Sequence, residues 1–370
     1  MKVKAMLLCL IPLLLTGCWD AEEVNNRTMV LAAGFDRMET GGVKVSIQVP
    51  IEEELLLISG SSQTSGRPFG ILTAEGDSVH ASVSGLQSKT QGTLFYGHIK
   101  TMVFSWDLAT NGLRETIDAL RRNHDIPAQA HVFLVKDQAS TMLDHNLWHK
   151  RVPANSLVLY AHVKGKADQS FSQDIRELAR DIEVKTQDAF VPLLSYDQDE
   201  ETFIISGLGI FHHDRLVGEL SGEEARMFGL LSGKSRNAYL HLAVPEYGGI
   251  TMRQVRAKSK IGLKKNGFEP VITIDIKAKG NMGESTRMAV NLSSEDRDRI
   301  ILAFNIYLER EMRKTIEKLQ ALNSDILALG EVYRIHYPRV WEATDWGRLY
   351  PQIPVELSVE FALDNYGVMR

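Results

Sequence analysis

The feature that most constrains this chain is its one long apolar run, residues 5–15, which is too short to cross a membrane. A spanning helix needs roughly twenty apolar residues, and this run has about half that. Lys2 and Lys4 precede it, and the small pair Thr16 and Gly17 follows it, immediately before Cys18. A positive start, an apolar middle and a small-residue end make a secretory signal, removed from the mature chain. No later run approaches spanning length. The rest of the chain is therefore expected to fold as a body in water.

Leu15, Thr16, Gly17 and Cys18 resemble the lipobox of bacterial lipoproteins, in which the cysteine is diacylated through its sulfur and the chain is cut in front of it. The competing readings are an ordinary signal peptide cut nearby or a buried N-terminal helix. Two acyl chains anchor a protein stably where one does so marginally. The expectation is a tethered body that does not span the bilayer.

Cleavage at that point leaves 353 of the 370 residues, enough for two or three domains. It removes two lysines and no acid, taking the formal charge from −5 to −7. A net negative body argues against nucleic acid and against electrostatic attraction to anionic lipid. Cys9 leaves with the signal and Cys18 is taken by acylation, so no thiol remains for a nucleophile, a disulfide or a thiolate metal site.

After a short polar tether over 18–27, residues 28–36 and 43–50 alternate around a Gly41-Gly42 turn and read as a hairpin. Residues 59–70, dense in Ser and Gly, read as a loop. The patterns predict a helix over 73–88, a buried strand over 95–106, a helix over 108–122, a strand over 131–135 and a short helix over 140–149. Residues 157–163 read as a strand and 171–183 as a helix, followed by an acidic loop at 197–201. Beyond it come a hairpin over 203–220 around His212-His213-Asp214, a helix to 231, and strands over 239–244, 251–261 and 269–279. A capping box at Ser293 and Asp296 opens a long helix whose apolar stripe runs on to Leu329, with Gly330 as its C-cap and a bend at Asn323-Ser324. Residues 355–363 alternate as a closing strand.

These elements predict an α+β protein of mixed β-sheets covered by helices, with a long helix in the C-terminal part. The divisions fall at 1–17 (signal), 18–27 (tether), 28–150 (N-terminal domain), 151–200 (middle domain or connecting region) and 201–370 (C-terminal domain).

Candidate chemistry is sparse. Gly229, Gly233 and Lys234 have three residues between the glycines where a phosphate-binding loop needs four, and they follow a helix where it needs a strand. Gly207 and Gly209 lack the third glycine of a dinucleotide site. His212, His213 and Asp214 read as a solvated turn, because adjacent side chains on a strand point to opposite faces. His98 reads as a structural histidine in an apolar strand. Paired carboxylates at 52–54 and 197–201 lie in polar loops, where pKa values stay near their usual range. No catalytic residue, metal site or cofactor is assigned. Arg256, Lys258 and Lys260 alternate on one face of a strand, with Arg253, Lys264 and Lys265 extending the basic stretch. Two readings stand: a solvated face paired with acids such as Asp275, or a contact for an acidic partner or lipid headgroups.

Several of these stretches together resemble the Ger(x)C family, the lipoprotein C subunit of spore germinant receptors. The carriers at the start are Gly17-Cys18-Trp19-Asp20, Glu23, Gly34-Phe35-Asp36 and His98-Ile99-Lys100 with the helix after it. Further on they are Gly207 to Phe211, Leu216 to Leu220 with Glu223-Glu224, then Leu319-Gln320, Asp325-Ile326-Leu327, Gly330, Pro338 and Trp341. Residues 150–200 carry no such motif. The resemblance implies a non-enzymatic subunit on the outer face of the spore inner membrane, held there by diacylglyceryl-Cys18. It also implies a fold of three successive domains, each a mixed β-sheet flanked by helices, and assembly with integral-membrane A and B subunits in the response to nutrients. Of the family's functional positions it carries over only Cys18. The alternative is the extracytoplasmic substrate-binding lipoprotein of a transporter, which predicts two lobes around a ligand cleft. An envelope hydrolase has no motif behind it.

Overall fold

The structure is a computed structural model; it describes residues 26–51, 66–148, 150, 152–162, 171–266, 269–286 and 293–365. The signal, Cys18, most of the tether and most of the Ser/Gly loop lie outside these residues.

Strand β1 (Arg27–Met29) is followed by β2 (Ala32–Arg37), β3 (Val43–Pro50), β4 (Phe69–Gly76) and helix α1 (Val79–Gln87). Arg27, placed in the tether by the sequence, opens the first strand. The helix expected over 73–88 starts late because β4 runs to Gly76 and the Ser78 hydroxyl then caps α1, accepting a hydrogen bond from the Ala81 amide at 3.2 Å. Next come β5 (Thr93–Phe95), β6 (Thr101–Ser105), α2 (Trp106–Asn111) and α3 (Arg114–Arg122). The single strand expected over 95–106 is thus two strands around a turn, where the Ile99 amide donates to the Tyr96 carbonyl at 2.9 Å. The helix expected over 108–122 is two, divided at Gly112, whose φ of +115° no helix accommodates.

The chain continues through β7 (His131–Val135), α4 (Ala139–Asp144), α5 (Pro153–His162), α6 (Ile175–Glu183) and β8 (Phe190–Asp197). Residues 157–162 are helical where a strand was expected over 157–163. Pro153 supplies a preset first turn, and Ala154 and Leu157, three residues apart, bury together while Leu159 points to solvent. Strand β8 went unpredicted because Phe190 to Leu194 are all buried, which leaves no alternation to read. Then follow β9 (Thr202–His212), β10 (Arg215–Ser221), α7 (Gly222–Leu231), β11 (Ala238–Val244), β12 (Gly248–Asn266), β13 (Glu269–Ser285), α8 (Ser294–Ala321), α9 (Leu329–His336) and β14 (Val355–Asn365).

Eight strands form one sheet in the order β10-β9-β8-β7-β6-β2-β3-β4. Its centre is parallel, β2 with β6, β6 with β7 and β7 with β8, and its margins are antiparallel. Both faces are covered. Met102 and Phe104 of β6 and Val132 and Leu134 of β7 pack beneath α1, α2, α3 and α6, while Val103, Phe133 and Val135 pack beneath α4 and α5. A smaller sheet, β11-β12-β13-β14, carries α7, α8 and α9 over a third core built on Phe304, Leu308 and Ile274. The result is mixed sheets flanked by helices, as expected.

Two boundaries read differently in three dimensions. Residues 151–200 supply α5, α6 and β8 to the large sheet, and among the described residues they form no sheet of their own. The division at 200 and 201 falls in the turn between β8 and β9, which are hydrogen-bonded neighbours.

The Gly34-Phe35-Asp36 stretch shows why such a triplet matters. A Cβ on Gly34 would sit 3.1 Å from the Ala139 Cβ, so glycine lets α4 lie against β2. Phe35 stacks on Phe104 at 5.3 Å between ring centres. Asp36, 3% exposed, accepts the Ala139 amide at 2.6 Å and the Ser140 amide at 3.1 Å, capping α4 from a neighbouring strand. Asp36→Ala leaves two buried donors unpaired. It is expected to lower stability by about 1–3 kcal/mol in urea unfolding, whereas Asp36→Asn, which keeps an acceptor, should cost less.

Candidate functional site

Helix α8 does not run on to Leu329. It ends at Ala321, about 42 Å long at about 1.5 Å per residue. Its last turn closes with the Asn323 amide on the Gln320 carbonyl and the Ser324 amide on the Leu319 carbonyl, both at 3.0 Å. Asn323 takes the left-handed conformation, φ 52°, that this ending requires. The chain then drops Ser324 and Asp325 into the interior before α9 begins.

Asp325 is 1% exposed and takes three hydrogen bonds: from the Leu329 amide at 2.8 Å, the Gly330 amide at 2.7 Å and the Trp346 indole at 3.1 Å. Its backbone meets Asp188, which precedes β8. The Asp188 amide donates to the Asp325 carbonyl at 3.0 Å, and the Asp325 amide returns a bond to the Asp188 carboxylate at 2.9 Å. That same carboxylate accepts the His213 amide at 2.7 Å and lies 3.4 Å from the His212 ring. Ser324 donates to the Phe211 carbonyl, and Tyr350 to the Ser324 carbonyl at 2.9 Å. Residues distant in sequence are thus tied at one point by mutual hydrogen bonds.

Burial pushes the Asp325 carboxyl up to about 7, and the neighbouring Asp188 charge adds to the shift against the opposing N–H donors. The hydrogen bond to Asp188 raises His212, and the Asn323 carbonyl takes a bond from the same ring. An acceptor beside each nitrogen favours the protonated ring. The expectation of a solvated turn at His212 is corrected: His213 and Asp214 turn the chain, and His212 turns inward because Asp188 offers it a buried acceptor.

Gly330, expected as a C-cap, opens α9 instead. A Cβ there would lie 2.8 Å from both the Thr186 carbonyl and the Trp346 indole nitrogen, so the position needs glycine for close approach. Gly330→Ala is expected to cost about 1–3 kcal/mol by overpacking, seen as a lower urea midpoint with an unchanged slope.

Beside this knot lies a cleft of about 570 Å³, bordered by Lys185, Asp188, His212, Asn323, Trp341 and Trp346. Trp346 packs against Trp341 at 5.9 Å and against Tyr350 at 5.8 Å between ring centres. The carboxylates of Asp188 and Asp325 each meet three of the protein's own donors, which makes the pair a joint between segments. Among the described residues no group of three His, Cys, Asp or Glu could hold a metal ion.

The residues singled out from sequence are not brought together here. Arg256, Lys258 and Lys260 lie on the outer face of β12, far along the chain from the knot. Arg256 pairs with Asp364, Lys260 stands opposite Asp275, and Lys258 stands opposite Lys277. Arg253 falls out of phase with them across a bulge at Gln254, whose φ is 53°. His98, placed by the sequence in an apolar strand, is on the exposed turn before β6, edge-on to Phe95. Leu15, Thr16, Gly17 and Cys18 are outside the described residues. Asp188 gave no signal in the sequence, while Asp325 appeared there only within a family-like stretch.

Comparison with known proteins defines the class. Residues 20–196 match the family model "Spore germination protein N-terminal domain", and residues 206–367 match "Spore germination B3/ GerAC like, C-terminal". The chain belongs to the Ger(x)C family of spore germination proteins. Among its relatives, spore germination protein B3 of Bacillus subtilis is 22% identical, with 96% of each chain covered. Spore germination protein A3 of the same organism is 22% identical over 92% of this chain and 91% of its own. The crystal structure of the GerBC protein superposes with a TM-score of 0.57 at 17% identity, covering 94% of this chain and 100% of that one. At that identity the likeness concerns the fold. Among the described residues no helix is long and apolar enough to cross a membrane.

Proposed function

We propose that this chain is the lipid-anchored, non-catalytic subunit of a spore nutrient germinant receptor, required for the germination response through assembly with integral-membrane A and B subunits. The observation that carries the reading is that both family segments occur in order over nearly the whole chain. Its anchor is diacylated Cys18, and its place is the outer face of the spore inner membrane. The tether confines the body to the membrane plane and so raises its effective concentration near membrane partners without any new contact.

The test is affinity purification from spore membranes through a C-terminal tag. Multi-pass receptor subunits are expected to co-purify in stoichiometric amounts. Recovery of a permease and its ATPase in their place would overturn the reading in favour of a transporter's substrate-binding lipoprotein.

A further inference from the structure

We propose that the end of the large sheet where the tether joins it, carrying Arg27, Lys89 and Lys100, lies on the headgroups of anionic phospholipids, so that the body keeps one side toward the bilayer. The proposal rests on the anchored reading and adds to it which side faces the membrane.

Asn26 is eight residues beyond Cys18, a reach of at most about 29 Å when fully extended and about 16 Å on average for a flexible chain. Whatever surrounds Asn26 is therefore held near the bilayer surface. The Asn26 carbonyl lies against Gly92, where a Cβ would come within 2.5 Å of it, and β1 then pairs in parallel with β5. The root of the tether thus rests on the segment from Lys89 to Lys100.

That segment contains two lysines and no acid, and residues 26–31 add Arg27 and again no acid. Lys89 and Lys100 are exposed and have no acid partner among the described residues. The Lys89 ammonium donates to the Thr73 carbonyl at 2.6 Å, which leaves its charge unanswered. The Arg27 guanidinium rests 4.8 Å from the centre of the Phe95 ring, which also meets the exposed His98. Of the acids that border this end, Asp174 is spent on Arg176 at 3.1 Å and on capping α6, and Asp125 stands near Tyr96. The chain as a whole is net negative, so only a local patch can draw it to anionic lipid. The potential of a charged leaflet fades within a Debye length, about 8–10 Å, so cations act where the anchor already holds them close. The basic stretch on β12 lacks that link to the anchor, and its Arg256 and Lys264 are paired with Asp364 and Glu356. The competing partners are the chain's own acids at Asp20, Glu22 and Glu23 and at Glu52 to Glu54, which lie outside the described residues.

The experiment reconstitutes the full acylated chain in vesicles of phosphatidylcholine, with or without phosphatidylglycerol. Cys9 leaves with the signal and Cys18 is acylated, so Gln91→Cys, at an exposed position beside Gly92, gives one thiol for a fluorophore. Quenching by headgroup-labelled lipid is expected to be at least about twofold stronger with phosphatidylglycerol than without it, and to lose that difference in about 1 M salt. Lys89→Glu combined with Lys100→Glu should abolish the difference, whereas Lys258→Glu combined with Lys260→Glu should leave it. Equal quenching on the two lipids would mean that the cations serve the chain's own acids. An equal response to both reversals would mean that net charge alone is read, and either result overturns the proposal. A chain that washes off both kinds of vesicle would instead remove the anchor, a separate failure that takes the proposal with it.

Discussion

Asp325→Ala is expected to destabilise the protein by about 3–5 kcal/mol, the scale for deleting one member of a buried polar network. The deletion leaves the Leu329 and Gly330 amides and the Trp346 indole without an acceptor in a fully buried place. It also frees the start of α9 and the aromatic group built on Trp346. Urea unfolding followed by tryptophan fluorescence measures the loss, and a change below 1 kcal/mol would mean that the network is not holding the segments together.

The same residue makes stability depend on pH in a definite direction. In the folded chain the Asp325 carboxyl titrates near 7, above its usual 3.8, so the folded state holds a proton that the unfolded state has released. That contribution is fully present below about pH 4 and is lost as pH rises to about 7. His212, also raised, has the same sign, with its contribution lost as pH rises past its ordinary value of 6.5. Stability should therefore fall between pH 4 and 7, and Asp325→Asn should flatten that slope. A slope of opposite sign would show that other carboxylates dominate.

Cys18→Ala should carry the second large effect, an all-or-none change in where the protein is found. Two acyl chains hold a protein at a bilayer stably, and the body has no apolar helix among its described residues to replace them. The variant is expected to leave the membrane fraction and to impair nutrient germination while keeping the urea midpoint of the folded body. Normal membrane retention in that variant would remove the anchor from the proposal.

Much of the architecture is legible in the chain itself, and the exceptions have physical causes. The hairpin at 203–220, the capping box of α8 and strands β11 to β13 follow from alternation and local hydrogen-bonding residues. Strand β8 does not, because a short apolar run buried on both sides has no period to betray its type, and helix α5 does not, because its exposed Leu159 makes an amphipathic turn read as an apolar strand. Asp188 is one of many acids in the sequence; only the fold shows that its partners come from β9 and from the turn after α8. Gly330 was visible as a glycine after an apolar stripe, yet its reason is the Trp346 ring lying against it, a contact across sixteen residues of chain. What the sequence conceals is the meeting of distant segments.

Strand β8 shares eight registered positions with β9 and one with β7. Its firmer partner, β9, runs into the C-terminal segment, with Gly207 to Ile210 inside it, although β8 itself lies almost wholly within the N-terminal one. A chain cut near residue 196 would end in a bare, apolar edge, open to pairing with any passing strand. The two segments therefore behave less like beads on a string than like two pieces of one woven panel. During synthesis the first remains exposed to misassociation until the hairpin that follows it has arrived.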